Sequence, residues 1–343
     1  MKVAFRANGG GAGIGFGHLM RCIAIADSFK TNGNAVWFVS KDYPEGVRLV
    51  QERGYEVRTI PSASALEDDL KKSIALIGDA DIVIADSYEF NSKYLAGLKQ
   101  IGKFVAVFDD KMDRDLPVDA VIGNAYATRE GYGSKLPKEA VLIAGAQYLP
   151  LRKEFQGLPK HAISDNIRRV LITMGGEDPA NATQLVVSAL ESYPGNLTLD
   201  ILIGSAYKNR EALQQSLEKS KHVSVMRENV RLLVPLYQSV DAAITAPGVT
   251  LWELAAAGIP MAVIQTADNQ SGVVSYFTKN NLGVVLGWHD QLSKEDIIAG
   301  LKMLEDKTAR AAFSARCQKL VDGKGAERIA DTLLKEYERR RAK

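Results

Sequence analysis

The chain has 343 residues, 46% hydrophobic and 24% charged, with a formal net charge of +2, a globular composition long enough for two domains of roughly 150–180 residues. The near-neutral balance excludes the basic stripe of a nucleic-acid binder, and the absence of any apolar run of about 20 residues excludes a membrane-spanning helix. Cys22 and Cys317 stand alone and far apart, which excludes a disulfide framework and favours a cytoplasmic location.

The first strand is expected at 2–7, too short for the apolar core of a signal peptide. A loop over 8–17 follows, in which six of ten residues are glycine, Gly15 and Gly17 among them. Such a loop can bring its backbone close to a ligand and adopt positive φ. From His18 the pattern turns helical, with Arg21 one turn on. A histidine ending a run that otherwise selects for no side chain is a candidate proton carrier, since its ordinary pKa of about 6.5 lies near neutrality. The plainer alternative is a solvated imidazole at a helix start. A dinucleotide fingerprint is weakly matched here and leaves His18 unexplained.

Further strands are expected at 35–40, 56–60, 82–85, 104–108 and 120–123, with helices around 45–53, 65–78 and 91–101. Short apolar strands alternating with helices predict a parallel, doubly wound sheet. Polar residues follow these strands repeatedly: Asp86 and Tyr88, Asp109 and Asp110, Asn124 and Tyr126. Ligands of open α/β sheets bind beyond the carboxyl ends of the strands, although each such residue is singly also a common turn or cap residue.

Periodicity is lost over 145–168, a stretch holding Tyr148 and Arg152, and the domain boundary is placed at 150–165. The first domain is thus 1–150 and the second 165–343, with the last helix a candidate for crossing back to the first. The second domain restarts with a strand at 169–174 that ends in Gly175-Gly176-Glu177-Asp178. Strands follow at 197–203, 222–226, 241–246, 261–265 and 284–285. Helices are expected at 181–192, 208–218, 230–238, 271–279, 293–304, 307–319 and 325–341. The basic run Glu338-Arg339-Arg340-Arg341-Ala342-Lys343 reads as a frayed, solvated helix end.

Within this domain, 243–260 is a strand, a Pro247-Gly248 turn and a helix stopped by Gly258 and Pro260. A helix start has unpaired N–H groups and the positive end of the helix dipole, an anion site at Gly248, Val249 and Thr250. Glu253, one turn later, is placed for a ribose. The competing reading is a Thr250-x-x-Glu253 capping box that only starts the helix. Asn269 and Gln270 follow the next strand. The fold class is therefore α/β, with two doubly wound Rossmann-like domains facing a cleft, and a diphosphate held without a metal. No cluster has metal-ligand spacing, no cofactor is expected, and His161, His222 and His289 read as structural or exposed. No Gly-x-Ser-x-Gly elbow is present.

Gly15-Phe16-Gly17-His18-Leu19-Met20-Arg21-Cys22, Asp86-Ser87-Tyr88, Asp109-Asp110, Tyr148-Leu149-Pro150-Leu151-Arg152, Met174-Gly175-Gly176-Glu177-Asp178-Pro179 and Ala267-Asp268-Asn269-Gln270 occur in one order. In that order they resemble the UDP-2,4-diacetamido-2,4,6-trideoxy-β-L-altropyranose hydrolases of pseudaminic acid biosynthesis and the related spore-coat polysaccharide proteins. The resemblance spans 1–330 and implies the GT-B architecture of the MurG glycosyltransferases. It implies that Gly248, Thr250 and Glu253 hold UDP, with Glu253 on the ribose. It also implies that His18 is the catalytic residue and that water displaces UDP from the anomeric carbon with inversion. Pro247 departs from a Gly-Gly pair and removes one backbone donor.

The expected function is a metal-independent hydrolase of a UDP-linked sugar, serving a nonulosonic acid or surface polysaccharide such as that of glycosylated flagellin. Arg21, Asp86, Tyr88 and Asp110 would line the sugar. The alternatives are a GT-B glycosyltransferase using a UDP-sugar donor and a non-catalytic nucleotide-sugar-binding protein. The expected partner is the UDP-sugar substrate, with no nucleic acid and no stable membrane insertion; no oligomeric state is assigned.

Overall fold

The computed structural model describes residues 1–11 and 14–342; Ala12 and Gly13 of the glycine-rich loop, and Lys343, lie outside the described residues. The chain forms two compact units, Met1–Lys153 with Gly323–Lys343, and Glu154–Asp322. Unit 2 thus ends at Asp322, and the last helix, a candidate for crossing back, belongs to unit 1.

Unit 1 runs β1 Lys2–Ala7, α1 Gly17–Thr31, β2 Ala35–Lys41, α2 Pro44–Glu52, β3 Glu56–Ile60, α3 Leu66–Ile77, β4 Ile82–Asp86, α4 Ser92–Gln100, β5 Phe104–Asp109, β6 Ala120–Gly123, the single turn α5 Arg129–Tyr132, and β7 Val141–Ile143. Its sheet has the order β3-β2-β1-β4-β5-β6-β7, and all its pairs are parallel. Val3, Phe5, Ile82 and Ile84 pack against Leu19, Ile23 and Phe29 of α1. Ala4, Val83 and Val105 on the opposite face meet Tyr94 and Leu95 of α4. Burial on both faces explains why these strands read as continuous apolar runs.

Unit 2 runs β8 Arg169–Thr173, α6 Ala182–Leu190, β9 Thr198–Leu202, α7 Arg210–Glu218, β10 Val223–Arg227, α8 Val234–Gln238, β11 Ala242–Thr245, α9 Val249–Ala257, β12 Met261–Gln265, α10 Ser271–Lys279, β13 Val284–Trp288, α11 Lys294–Met303 and α12 Lys307–Leu320. Its sheet has the order β10-β9-β8-β11-β12-β13, also all parallel. The helix expected from 230 starts only at Val234, with Pro235 in its first turn, the one helical place where a missing N–H costs nothing.

The chain ends in α13, Gly325–Arg341, whose Ala326, Ile329, Ala330 and Leu333 complete the core of unit 1. Glu338, Arg339, Arg341 and Ala342 of its basic end are exposed, as expected, but Arg340 is anchored. Tyr337 donates to Asp81 at 2.8 Å, and Arg340 donates to the Asp119 carboxylate and to the Glu139 carbonyl.

Both sheets reverse their winding beside their first strand, between β1 and β4 in unit 1 and between β8 and β11 in unit 2. The crevice at the carboxyl end of such a reversal is where doubly wound sheets bind ligands. That is where the residues of interest fall in each unit.

Candidate functional site

In unit 1 the site is built on the exits of β1, β4 and β5. His18 is the second residue of α1, and Arg21 is one turn later. Asp86 is the last residue of β4 rather than the first of a loop, and it is fully buried. Its two oxygens take three close donors: His18 Nδ1 at 2.7 Å, Arg21 Nε at 2.6 Å and Arg21 Nη2 at 2.6 Å. Arg21 Nη1 then reaches both oxygens of Asp110 at 3.1 and 3.0 Å, and Tyr88 donates to Asp110 Oδ2 at 3.1 Å. The guanidinium lies over the Phe108 ring at 4.2 Å, and the Tyr88 ring meets His18 edge-on at 4.7 Å.

Electrostatics fix the protonation pattern of this cluster. Burial pushes the Asp86 carboxyl up, but the Arg21 charge and the hydrogen bonds from Arg21 and His18 outweigh it, leaving its pKa below the ordinary value. Asp86 is therefore ionised and can only accept. The His18 proton facing it sits on Nδ1, and the 3.3 Å approach of Arg21 Nη2 to Nδ1 is then a donor–donor contact rather than a hydrogen bond. Nε2 is left as the basic nitrogen, with no hydrogen-bond partner among the described residues. Burial and then the Asp110 charge push the Tyr88 phenol well above its usual range, so it stays protonated as a donor. Burial and Asp86 raise the Cys22 thiol likewise, which makes it a poor nucleophile.

The glycine-rich loop divides its glycines between two tasks. A Cβ on Gly9, Gly10 or Gly11 would strike Leu19, Gly46 or Tyr43. The expected close approach to a ligand is, at these three positions, an approach to other parts of the unit. Gly15 and Gly17 face open space. Asp109 and Asn124 stay with their turns: Asp109 accepts from Met112 N at 2.8 Å, and Asn124 donates to the Asp110 carbonyl and accepts from Tyr126 N. Tyr148 packs against the core of unit 1, and the partly buried Arg152 is the penultimate residue before unit 2 begins.

In unit 2 the carboxyl edge presents open backbone at the exits of β8 and β11. Gly175 has φ of +92° and Gly176 faces open space. A Cβ on Gly204, after β9, would collide with the backbone of Gly176; sequence reading missed this role of Gly204. Asp178 caps α6 through Ala182 N and Thr183 N, each at 2.9 Å. The capping-box reading of Thr250 and Glu253 is overturned. The N-cap of α9 is Gly248, without any side-chain cap, and Thr250 is already inside the first turn. Glu253 is nearly buried and accepts from Tyr237 Oη at 3.3 Å. The N–H groups of Val249, Thr250 and Leu251 thus have neither an intrahelical acceptor nor a side-chain cap. Pro247 precedes the N-cap, so the donor it lacks is not one of these three. Gln270 turns back on its own loop, accepting from Thr266 N at 2.8 Å and Ala267 N at 3.1 Å, while Asn269 is exposed. His222 is structural, held between Leu197 N and the Leu190 carbonyl. Among the described residues no three His, Cys, Asp or Glu side chains group to hold a metal ion, and no helix is long and apolar enough to cross a membrane.

No protein-family model matches the chain. It is 26% identical over 283 residues to an uncharacterised protein of Methanocaldococcus jannaschii, covering 79% of this chain and 57% of that protein, so it spans little more than half of that relative. It is 24% identical to the spore coat polysaccharide biosynthesis protein SpsG of Bacillus subtilis, over 96% of this chain and 97% of the relative. It is 28% identical to the pseudaminic acid cytidylyltransferase and UDP-2,4-diacetamido-2,4,6-trideoxy-β-L-altropyranose hydrolase of Helicobacter pylori, over 57% of this chain and 35% of that protein. Among solved structures it resembles MurG of Acinetobacter baumannii, with a TM-score of 0.72, 13% identity, and coverage of 97% of this chain and 99% of that one. A spinosyn rhamnosyltransferase complexed with thymidine diphosphate gives a TM-score of 0.67 at 16% identity, covering 97% of this chain and 100% of that one. The fold is that of the GT-B glycosyltransferases.

Proposed function

We propose that the chain is an enzyme that transfers the glycosyl group of a nucleoside-diphosphate sugar to a hydroxyl. The observation that carries this reading is the His18–Asp86 pair at the winding reversal of unit 1, in a fold shared with glycosyltransferases. Asp86 holds His18 with Nε2 as the base. Nε2 takes the proton of an attacking hydroxyl as its oxygen bonds to the anomeric carbon. The bond from that carbon to the phosphate oxygen breaks, and its electron pair leaves with the nucleoside diphosphate. A single displacement of this kind inverts the anomeric centre.

Unit 2 stabilises the leaving group. The uncapped N–H groups at Val249, Thr250 and Leu251 meet the growing negative charge, as preorganised donors worth about 3 kcal/mol each at the transition state. Gly175, Gly176 and Gly248 leave room for the diphosphate, and Glu253 takes the ribose. Within unit 1, Arg21, Tyr88 and Asp110, with Gly15 and Gly17, face the glycosyl group.

The acceptor separates two readings. The spinosyn rhamnosyltransferase among the structural neighbours favours an acceptor other than water. The hydrolase named in the Helicobacter pylori relative, with the motif order noted above, favours water. Incubation with a panel of UDP-sugars, with and without acceptors, tests both, with product NMR as the readout. UDP release without acceptor and a free inverted sugar identifies hydrolysis. UDP release only with acceptor identifies transfer. Tight UDP-sugar binding without turnover under either condition sinks the proposal in favour of a non-catalytic binding protein.

A further inference from the structure

The carboxyl edge of unit 1 carries a second polar cluster, on the opposite face of the sheet from His18. We propose that Lys41, Glu89 and Asn8 form a subsite for an uncharged substituent of the glycosyl group that both accepts and donates hydrogen bonds, a hydroxyl or an amide. The inference rests on the glycosyl-transfer reading above.

The cluster is anchored from below. Arg6, the penultimate residue of β1, is fully buried, bonded to both oxygens of Asp69 at 2.8 and 2.7 Å and to Ser73 Oγ at 2.8 Å. Its ring partner is Phe90, at 4.9 Å. A cation so deep is tolerated only when its donors are met, and Nη1 is met by Asn8 Oδ1 at 2.6 Å. The same Oδ1 accepts from Lys41 N at 3.0 Å, which fixes the amide so that Asn8 Nδ2 faces Glu89 Oε2 at 3.3 Å. Lys41 Nζ donates to that same oxygen at 2.9 Å.

What remains unmet points to a ligand. An ammonium has three donors, and among the described residues Lys41 Nζ finds only Glu89 as acceptor, although its side chain is 10% exposed. Glu89 is 40% exposed, and its Oε1 accepts from no described residue. A nearly buried ammonium with two spare donors therefore adjoins an outward carboxylate oxygen with a spare acceptor. The pair is neutral, so it does not draw in phosphate, which would also meet the carboxylate. A neutral group with one acceptor and one donor satisfies both sides. The loop that supplies Glu89 also supplies Tyr88 and follows Asp86, so the subsite and the His18 cluster share a segment.

Calorimetric titration of UDP, UDP-glucose and UDP-N-acetylglucosamine into wild type, Lys41→Met and Glu89→Gln tests the subsite. Wild type is expected to bind at least one of the sugars more tightly than UDP. Each variant is expected to lose roughly tenfold of that gain while UDP affinity stays within about twofold. A purely structural clamp would instead weaken UDP and both sugars alike. Variants that keep the full gain overturn the inference, and so does a wild type that binds UDP and both sugars equally. A wild type that fails to bind UDP overturns the glycosyl-transfer reading and this inference with it. If Lys41→Met does not fold, Glu89→Gln, at a side chain already partly in solvent, carries the test alone.

Discussion

The two sheets share the order of their first six strands and one winding reversal, unit 1 adding a seventh strand at one edge, yet their carboxyl edges differ. Unit 1 fills its edge with ionisable side chains: His18, Arg21, Asp86 and Asp110 are joined by hydrogen bonds of 2.6 to 3.1 Å. Unit 2 presents open backbone at the exits of β8 and β11, with Gly175, Gly176 and Gly248 open and the start of α9 uncapped. One topology thus serves two kinds of task. Side chains can move a proton, whereas fixed backbone dipoles can hold a charge without taking one up. A reaction that expels an anion while deprotonating a nucleophile needs one edge of each kind.

The comparison is broken most severely by removing the base. His18→Gln is expected to lower turnover by about 10³-fold, within the usual range for general-base catalysis, while leaving UDP affinity within about twofold, as read by steady-state kinetics and titration. Asp86→Asn comes next, with turnover down by about 10²-fold, since a neutral amide no longer enforces the Nδ1–H tautomer. It also leaves Arg21 with Asp110 alone, so chemical denaturation should show a loss of about 3 kcal/mol.

Because the folded pKa of Asp86 is depressed, its contribution to stability is present above its unfolded value of about 4. That contribution is lost as pH falls through the folded value below it. Melting curves from pH 6 down to pH 2 should therefore fall on the acid side in wild type and fall less in Asp86→Asn. Asp69, also depressed, accounts for part of the fall that remains.

On the unit 2 side, Gly248→Ala adds a Cβ into open space. Its stability should stay within about 0.5 kcal/mol, while UDP affinity drops roughly tenfold as the added methyl holds phosphate off the helix start. Unchanged UDP affinity would remove α9 from the account. The smallest effect is assigned to Pro247→Ala. The added N–H lies before the N-cap, outside the first turn of α9, so UDP titration should move by less than about twofold.

The central strands β4, β5, β11 and β12 are legible in the sequence because each is buried along nearly its whole length and reads as an apolar run. Val141–Ile143 escapes that reading: it is three residues long, only one of them fully buried, at the edge of its sheet. The start of α8 is displaced by Pro235. In the site, position after a strand singled out His18, Asp86, Tyr88 and Asp110, and the structure brings these together with Arg21. What position cannot convey is who partners whom. Asp86 accepts from His18 and Arg21 whereas Asp109 accepts from Met112 N in its own turn, though both end strands. Gly9, Gly10 and Gly11 look identical to Gly15 and Gly17 in sequence, yet the former are forced by packing and the latter are not. The Thr250-x-x-Glu253 spacing matches a capping box, but Tyr237, from a different helix, claims the Glu253 carboxylate.

The proposal has unit 1 supply the base and unit 2 the nucleotide-binding backbone. The rate of UDP release by His18→Gln, at saturating UDP-sugar and with its acceptor if one is required, tests it most directly. The account predicts a rate about 10³-fold below wild type at unchanged UDP affinity. Release at the wild-type rate would contradict it.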